Sequence, residues 1–99
     1  MDTDEIFGYL NRSEKPKNWK HELRSYLKSQ VDHYHEQPEN AEKIAYQIAG
    51  LLGTKFAAEM PEDDPYIEVL EMAGRLELPE RYHGDANWPD LIRQVEQLI

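Results

Sequence analysis

The sequence predicts an all-α fold, a compact bundle of four main helices plus a short N-terminal one, forming a single domain over residues 1–99. Three observations carry that expectation. Apolar residues recur at three- and four-residue steps, prolines fall between or at the edges of these segments, and no segment combines β-branched enrichment with two-residue alternation. The nearest approach to a strand, Arg75 to Leu78, is too short to count.

The first segment, Asp2 to about Asn11, opens on Asp2-x-x-Glu5, the pattern of a capping box. Ile6, Tyr9 and Leu10 fall on one side and Phe7 lies off it, while Gly8 weakens the helix by roughly 1 kcal/mol relative to alanine. A helix this short must dock to persist. A charged linker, Arg12 to Lys17, holds Pro16, and Asn18 then caps a long helix running to about Glu36. Its stripe is Trp19, Leu23, Tyr26, Leu27, Val31 and Tyr34, so bulky rings supply one wall of the core. Pro38 ends this helix and suits the first turn of the next.

The most apolar run, Ala41 to Met60, reads as one unbroken central helix. A small row (Ala41, Ala45, Ala49, Gly53, Ala57) and a large row (Ile44, Ile48, Leu52, Phe56) follow the four-residue ridges along which helices interdigitate. The small row is expected to receive the second or the last helix, which makes Gly50 and Gly53 packing residues. Glu42, Lys43, Gln47, Lys55 and Glu59 interrupt the run, so it is no membrane span.

Met60-Pro61 stops that helix, and Asp64-Pro65 reads as N-cap plus first position of a helix to about Glu77. This helix buries Tyr66, Val69, Leu70, Ala73 and Leu76 and turns Glu68 and Glu71 outward. Leu78 to Ala86 is irregular, with Leu78 and Tyr82 expected to pin it to the core. The last helix begins near Asn87 and uses Leu91, Ile92, Val95, Leu98 and Ile99, the final two expected to be buried.

Composition narrows the function. Cysteine is absent, which excludes disulfides and thiolate metal sites and fits a reducing cytoplasm. The N-terminus lacks the basic-then-apolar order of a signal peptide, so export by that route is not expected. A net charge of −9 repels phosphates and anionic lipid. The charge is uneven. Six bases face two acids between Arg12 and Lys28, whereas eight acids face Arg75 alone between Glu59 and Glu80.

No catalytic set emerges. His33 and His35 in VDHYHE point about 200° apart on a helix and cannot share an ion, and nothing completes an Asp32, His35, Glu36 face. Tyr82-His83-Gly84-Asp85 is a turn with Gly84 at positive φ; Ser13, Ser25 and Ser29 lack a nucleophile context. The chain is therefore expected to be non-enzymatic, with no cofactor and no metal. Two surfaces offer partner binding. Glu62, Asp63, Asp64, Tyr66 and Glu68 set an aromatic anchor in a negative patch suited to a basic protein. Lys17, Lys20, Arg24 and Lys28 form a basic face on the second helix, the alternative, where nucleic acid would bind weakly. In size, acidity and class the chain is similar to small helical immunity and antitoxin-type inhibitors of basic toxins or nucleases, a likeness of composition and not of motif. The expected function is a cytoplasmic protein-interaction or regulatory module, monomeric or homodimeric.

Overall fold

A computed structural model describes residues 2–12 and 16–98. The fold is all-α: α1 (Thr3–Leu10), α2 (Trp19–Glu36), α3 (Ala41–Ala49), α4 (Lys55–Glu59), α5 (Pro65–Leu76) and α6 (Trp88–Leu98). Single 3-10 turns occupy Pro38–Asn40, Gly50–Gly53 and Glu80–Tyr82. Its radius of gyration, 12.7 Å, is that of a close-packed chain of this length.

Local chemistry sets most of these boundaries. The Asp2 carboxylate accepts from the Glu5 N–H at 2.8 Å and starts α1. Asp64 accepts from the Tyr66 N–H at 2.9 Å, and Pro65 fills the first position of α5, where its missing N–H costs nothing. Asn87 accepts from the Asp90 N–H at 2.8 Å to open α6. Asn18 stands before α2 but makes no capping bond through its side chain. Gly84, at φ 59°, takes the left-handed turn expected of it.

The run from Ala41 to Met60 is not one helix. It breaks after Ala49 into the Gly50–Gly53 turn, and Thr54 in an extended conformation (φ −84°, ψ 156°) starts α4. Two glycines three residues apart, Gly50 and Gly53, weaken an α-helix by roughly 2 kcal/mol, and Thr54 supplies the cap a new helix needs. The Thr54 hydroxyl donates to the Leu51 carbonyl at 2.8 Å and accepts from the Ala57 N–H at 3.2 Å. Asn11, at the end of α1, takes the Lys55 N–H at 3.0 Å, so α1 and α4 are tied together.

Helix α5, not the 41–60 segment, occupies the centre. It packs on α3, on α6 and on the Gly50–Gly53 turn, and it buries Tyr66, Ile67, Val69, Leu70, Ala73 and Leu76. Where α3 and α5 pack, an added Cβ at Gly74 would lie 3.9 Å from the Ala49 Cβ, an ordinary contact. A Cβ at Gly50 or Gly53 would meet nothing within 4 Å, so neither is the packing residue its position in the row suggests. Helix α2 lies across α1, α3 and α6. Aromatic pairs fasten both its ends: Trp19 meets Phe56 at 4.7 Å and Tyr66 at 5.0 Å, and Tyr34 stacks on Trp88 at 4.2 Å.

One polar chain crosses the core. Gln30 is buried beneath the stripe of α2 and donates through Nε2 to the Tyr26 hydroxyl at 2.7 Å and to Gln47 Oε1 at 3.1 Å. The Tyr26 hydroxyl also meets Thr3 Oγ1 at 3.1 Å. Helices α1, α2 and α3 are thereby joined through satisfied hydrogen bonds, which low dielectric strengthens. Elsewhere the loop after α5 differs from expectation: Leu78 and Tyr82 are exposed, and Ala86 is the residue buried there. Leu98 is half-buried, and Ile99 lies outside the described residues. Among the described residues no helix is long and apolar enough to cross a membrane.

Candidate partner-binding groove

Three large apolar side chains stand off the stripes that build the core. Phe7 projects from α1 at 39% exposure, Tyr46 from α3 at 66%, and Leu52 from the Gly50–Gly53 turn at 37%. They line one groove of about 660 Å³ whose floor includes Ala49, Gly50, Gly53 and Gly74. The three gather exposed apolar area in one place instead of scattering it singly.

The position of each wall follows from the local structure. On α1, Ile6 and Leu10 are fully buried, which leaves Phe7 facing away from the core. On α3, Ile44, Ala45 and Ile48 face inward, and Tyr46 lies opposite them. Because the glycines carry no side chain, the floor between these walls stays open. Thr3 and Gln47, the two ends of the polar chain through Tyr26 and Gln30, also reach the groove. Burial raises the Tyr26 pKa above its ordinary value, against the opposing effect of the Thr3 and Gln30 hydrogen bonds.

The rim is acidic. Asp4 and Glu77 line the groove itself, and a second hollow beside Tyr46 adds Glu39 and Glu42, with Lys43 the base among them.

The segment Glu62 to Glu68 is arranged differently from its sequence reading. Glu62, Asp63 and Glu68 are exposed, but Asp64 is occupied as the cap of α5. Tyr66, which the pattern offers both as a core residue and as a surface anchor, is 8% exposed with its ring edge-on to Trp19. It belongs to the core. The segment therefore supplies charge without an aromatic contact.

On α2, Lys20, Arg24 and Lys28 share a side, and Lys17 precedes the helix. Arg24 bonds the Lys20 carbonyl at 3.2 Å and approaches the Leu98 carbonyl at 3.5 Å, tying it to the end of α6. Lys20 lies over the Trp19 ring at 5.6 Å. Asp32, His33 and Glu36 border one shallow hollow, whereas the His35 ring sits against Tyr34 at 5.9 Å. Among the described residues no three of His, Asp or Glu gather closely enough to hold a metal ion. Ser25 and Ser29 are exposed on α2, and Ser13 lies outside the described residues.

The groove escaped the sequence reading because its three large walls come from three elements, each contributing a side chain that its own periodicity leaves over, and Gly74 of a fourth completes the floor. The signal present was Phe7, an aromatic off its helix's stripe. No family model, curated protein or solved structure matches the chain.

Proposed function

We propose that this chain is a non-enzymatic protein-interaction module that docks its partner in the groove between Phe7, Tyr46 and Leu52. The observation that carries the reading is the convergence of these exposed apolar side chains on one open concavity. Exposed apolar surface with a polar rim is the usual anatomy of a docking site, and aromatic anchors supply much of the binding energy there. Glu62, Asp63 and Glu68 act at longer range, steering a basic partner within a field set by the net charge of −9. They affect association rate more than the final complex.

Site-specific crosslinking tests the reading. A benzoylphenylalanine replacing Tyr46 should give one discrete adduct in cells that express the chain, and the same group replacing Ser29, exposed on α2 and outside the groove, should give none. The adduct should disappear when Phe7→Ser and Leu52→Ser are added to a chain whose helical circular dichroism is unchanged. Adducts of equal yield at both positions, or none at Tyr46, would overturn the groove as the docking site.

A further inference from the structure

Resting on the groove reading, we infer that its occupant is a basic amphipathic helix of a partner protein. Charge gives the first argument. The carboxylates of Asp4, Glu39, Glu42 and Glu77 rim the groove and the adjoining hollow, against Lys43 alone. An acidic or neutral segment gains nothing from that rim, whereas Lys or Arg on the flank of a docked helix meets four carboxylates there against the one like charge of Lys43.

Backbone chemistry gives the second. A peptide that binds as an added strand needs a sheet edge to pair its N–H and C=O groups, and the described residues form no strand. A helix satisfies its own backbone and asks only for an apolar trough. Shape agrees with this. Over Gly50 and Gly53 a Cβ would meet nothing within 4 Å, so a helix can approach the floor closely while its large side chains lie between Phe7, Tyr46 and Leu52. A small organic ligand fits less well, because such sites enclose most of their ligand and Tyr46 here is 66% exposed. The occupant should present apolar residues at i, i+3 or i+4, and i+7, with Lys or Arg bordering that stripe.

Three labelled synthetic helices with one common apolar face test this by fluorescence anisotropy: one flanked by lysine, one flanked by glutamate, and a lysine-flanked version broken by a central proline. The lysine-flanked helix should bind about tenfold tighter than the glutamate-flanked one, since two or three exposed ion pairs each contribute a few-fold, and about tenfold or more tighter than the proline-broken one, whose helix is interrupted. Asp4→Asn with Glu77→Gln should cut the preference for lysine over glutamate at least severalfold, Glu39 and Glu42 being left in place, whereas Glu62→Gln with Asp63→Asn, outside the groove, should leave it unchanged. Equal binding of the lysine and glutamate helices overturns the charge assignment, and equal binding of the proline-broken peptide overturns the helix. A preference that survives undiminished in the Asp4/Glu77 variant but falls in the Glu62/Asp63 variant places the peptide elsewhere and overturns the inference. Should the Asp4/Glu77 variant fail to fold, amide shift changes in the wild-type chain decide: perturbation at Tyr46 and Leu52 supports the inference, and its absence there refutes it. The crosslinking result separates the two levels, because a Tyr46 adduct together with no helix preference removes this occupant and leaves the groove standing.

Discussion

Thr54→Val is the sharpest test of how the 41–60 segment is held. The substitution keeps the branched shape and removes one hydroxyl. At 1% exposure, that hydroxyl both closes the Gly50–Gly53 turn on the Leu51 carbonyl and caps α4 at the Ala57 N–H. The Leu51 carbonyl keeps a second donor, the Thr54 N–H at 3.2 Å, so its loss is partial. The Ala57 N–H keeps none, and a buried orphan donor costs about 1–3 kcal/mol, a range that already contains the usual ~1 kcal/mol of a lost cap. The expected destabilisation is therefore about 2 kcal/mol, or roughly 8–16 °C in Tm for a domain of this size. Thr54→Ser retains both bonds and gives up one methyl group, at a cost of about 1 kcal/mol. Urea unfolding, followed by circular dichroism, should give midpoints in the order wild type, Ser, Val, with slopes unchanged. A valine variant as stable as the serine variant would refute the capping argument.

Glycine substitutions should separate by position. Gly53→Ala, in open space and at no positive φ, should raise Tm by about 2–8 °C through the reduced entropy of the unfolded chain, whereas Gly84→Ala, at φ 59°, should lower stability by about 1–2 kcal/mol. Tyr26 links stability to alkaline pH. Its folded pKa lies above the unfolded value, so below about pH 10 its contribution is fully present, and it is lost as pH rises from the unfolded value through the folded one, a window in which the unfolded chain ionises more readily than the folded. Tyr26→Phe should flatten that alkaline decline relative to wild type, and an identical decline in both proteins would show that Tyr26 does not cause it.

How much the sequence discloses depends on whether a feature is local. Caps and prolines are local, and Asp2, Asp64-Pro65 and the region of Asn87 mark helix starts where the structure has them. The stripe of α2 is likewise legible, since Leu23, Tyr26, Leu27 and Val31 are all buried. Gln30 is not, because a polar residue beside a stripe reads as solvated until Gln47, from α3, is seen to join the Tyr26 hydroxyl of its own helix as a partner. Tyr66 shows the converse: an aromatic amid acids reads as an anchor, and only its seat against Trp19 shows that its row with Val69, Leu70 and Ala73 takes precedence. The centre of the fold lies in α5 and not in the 41–60 segment for a similar reason. A dense run of apolar side chains marks a segment as one to be buried, but encirclement by neighbours makes it central.

The break in the 41–60 segment and the groove have one geometric cause. Along an uninterrupted α-helix, Leu52 would lie about 40° from the direction of Ile48 and Leu51 about 60°, so the row Ile44, Ile48, Leu52, Phe56 would face inward together. A 3-10 turn advances about 120° per residue instead of 100°. Counted from Ala49 onward, that tighter winding brings Leu51 to roughly 20° from Ile48 and carries Leu52 to roughly 100°. The burial agrees, with Leu51 fully buried and Leu52 37% exposed. Gly50, with φ −57° and ψ −24°, has the backbone angles of such a turn. Leu52 thus reaches the surface because the helix tightens beneath it, and it arrives beside Phe7 and Tyr46. The turn exchanges one leucine for the next in the core and sets the other at the wall of the groove, and Thr54 holds the tightened winding in place.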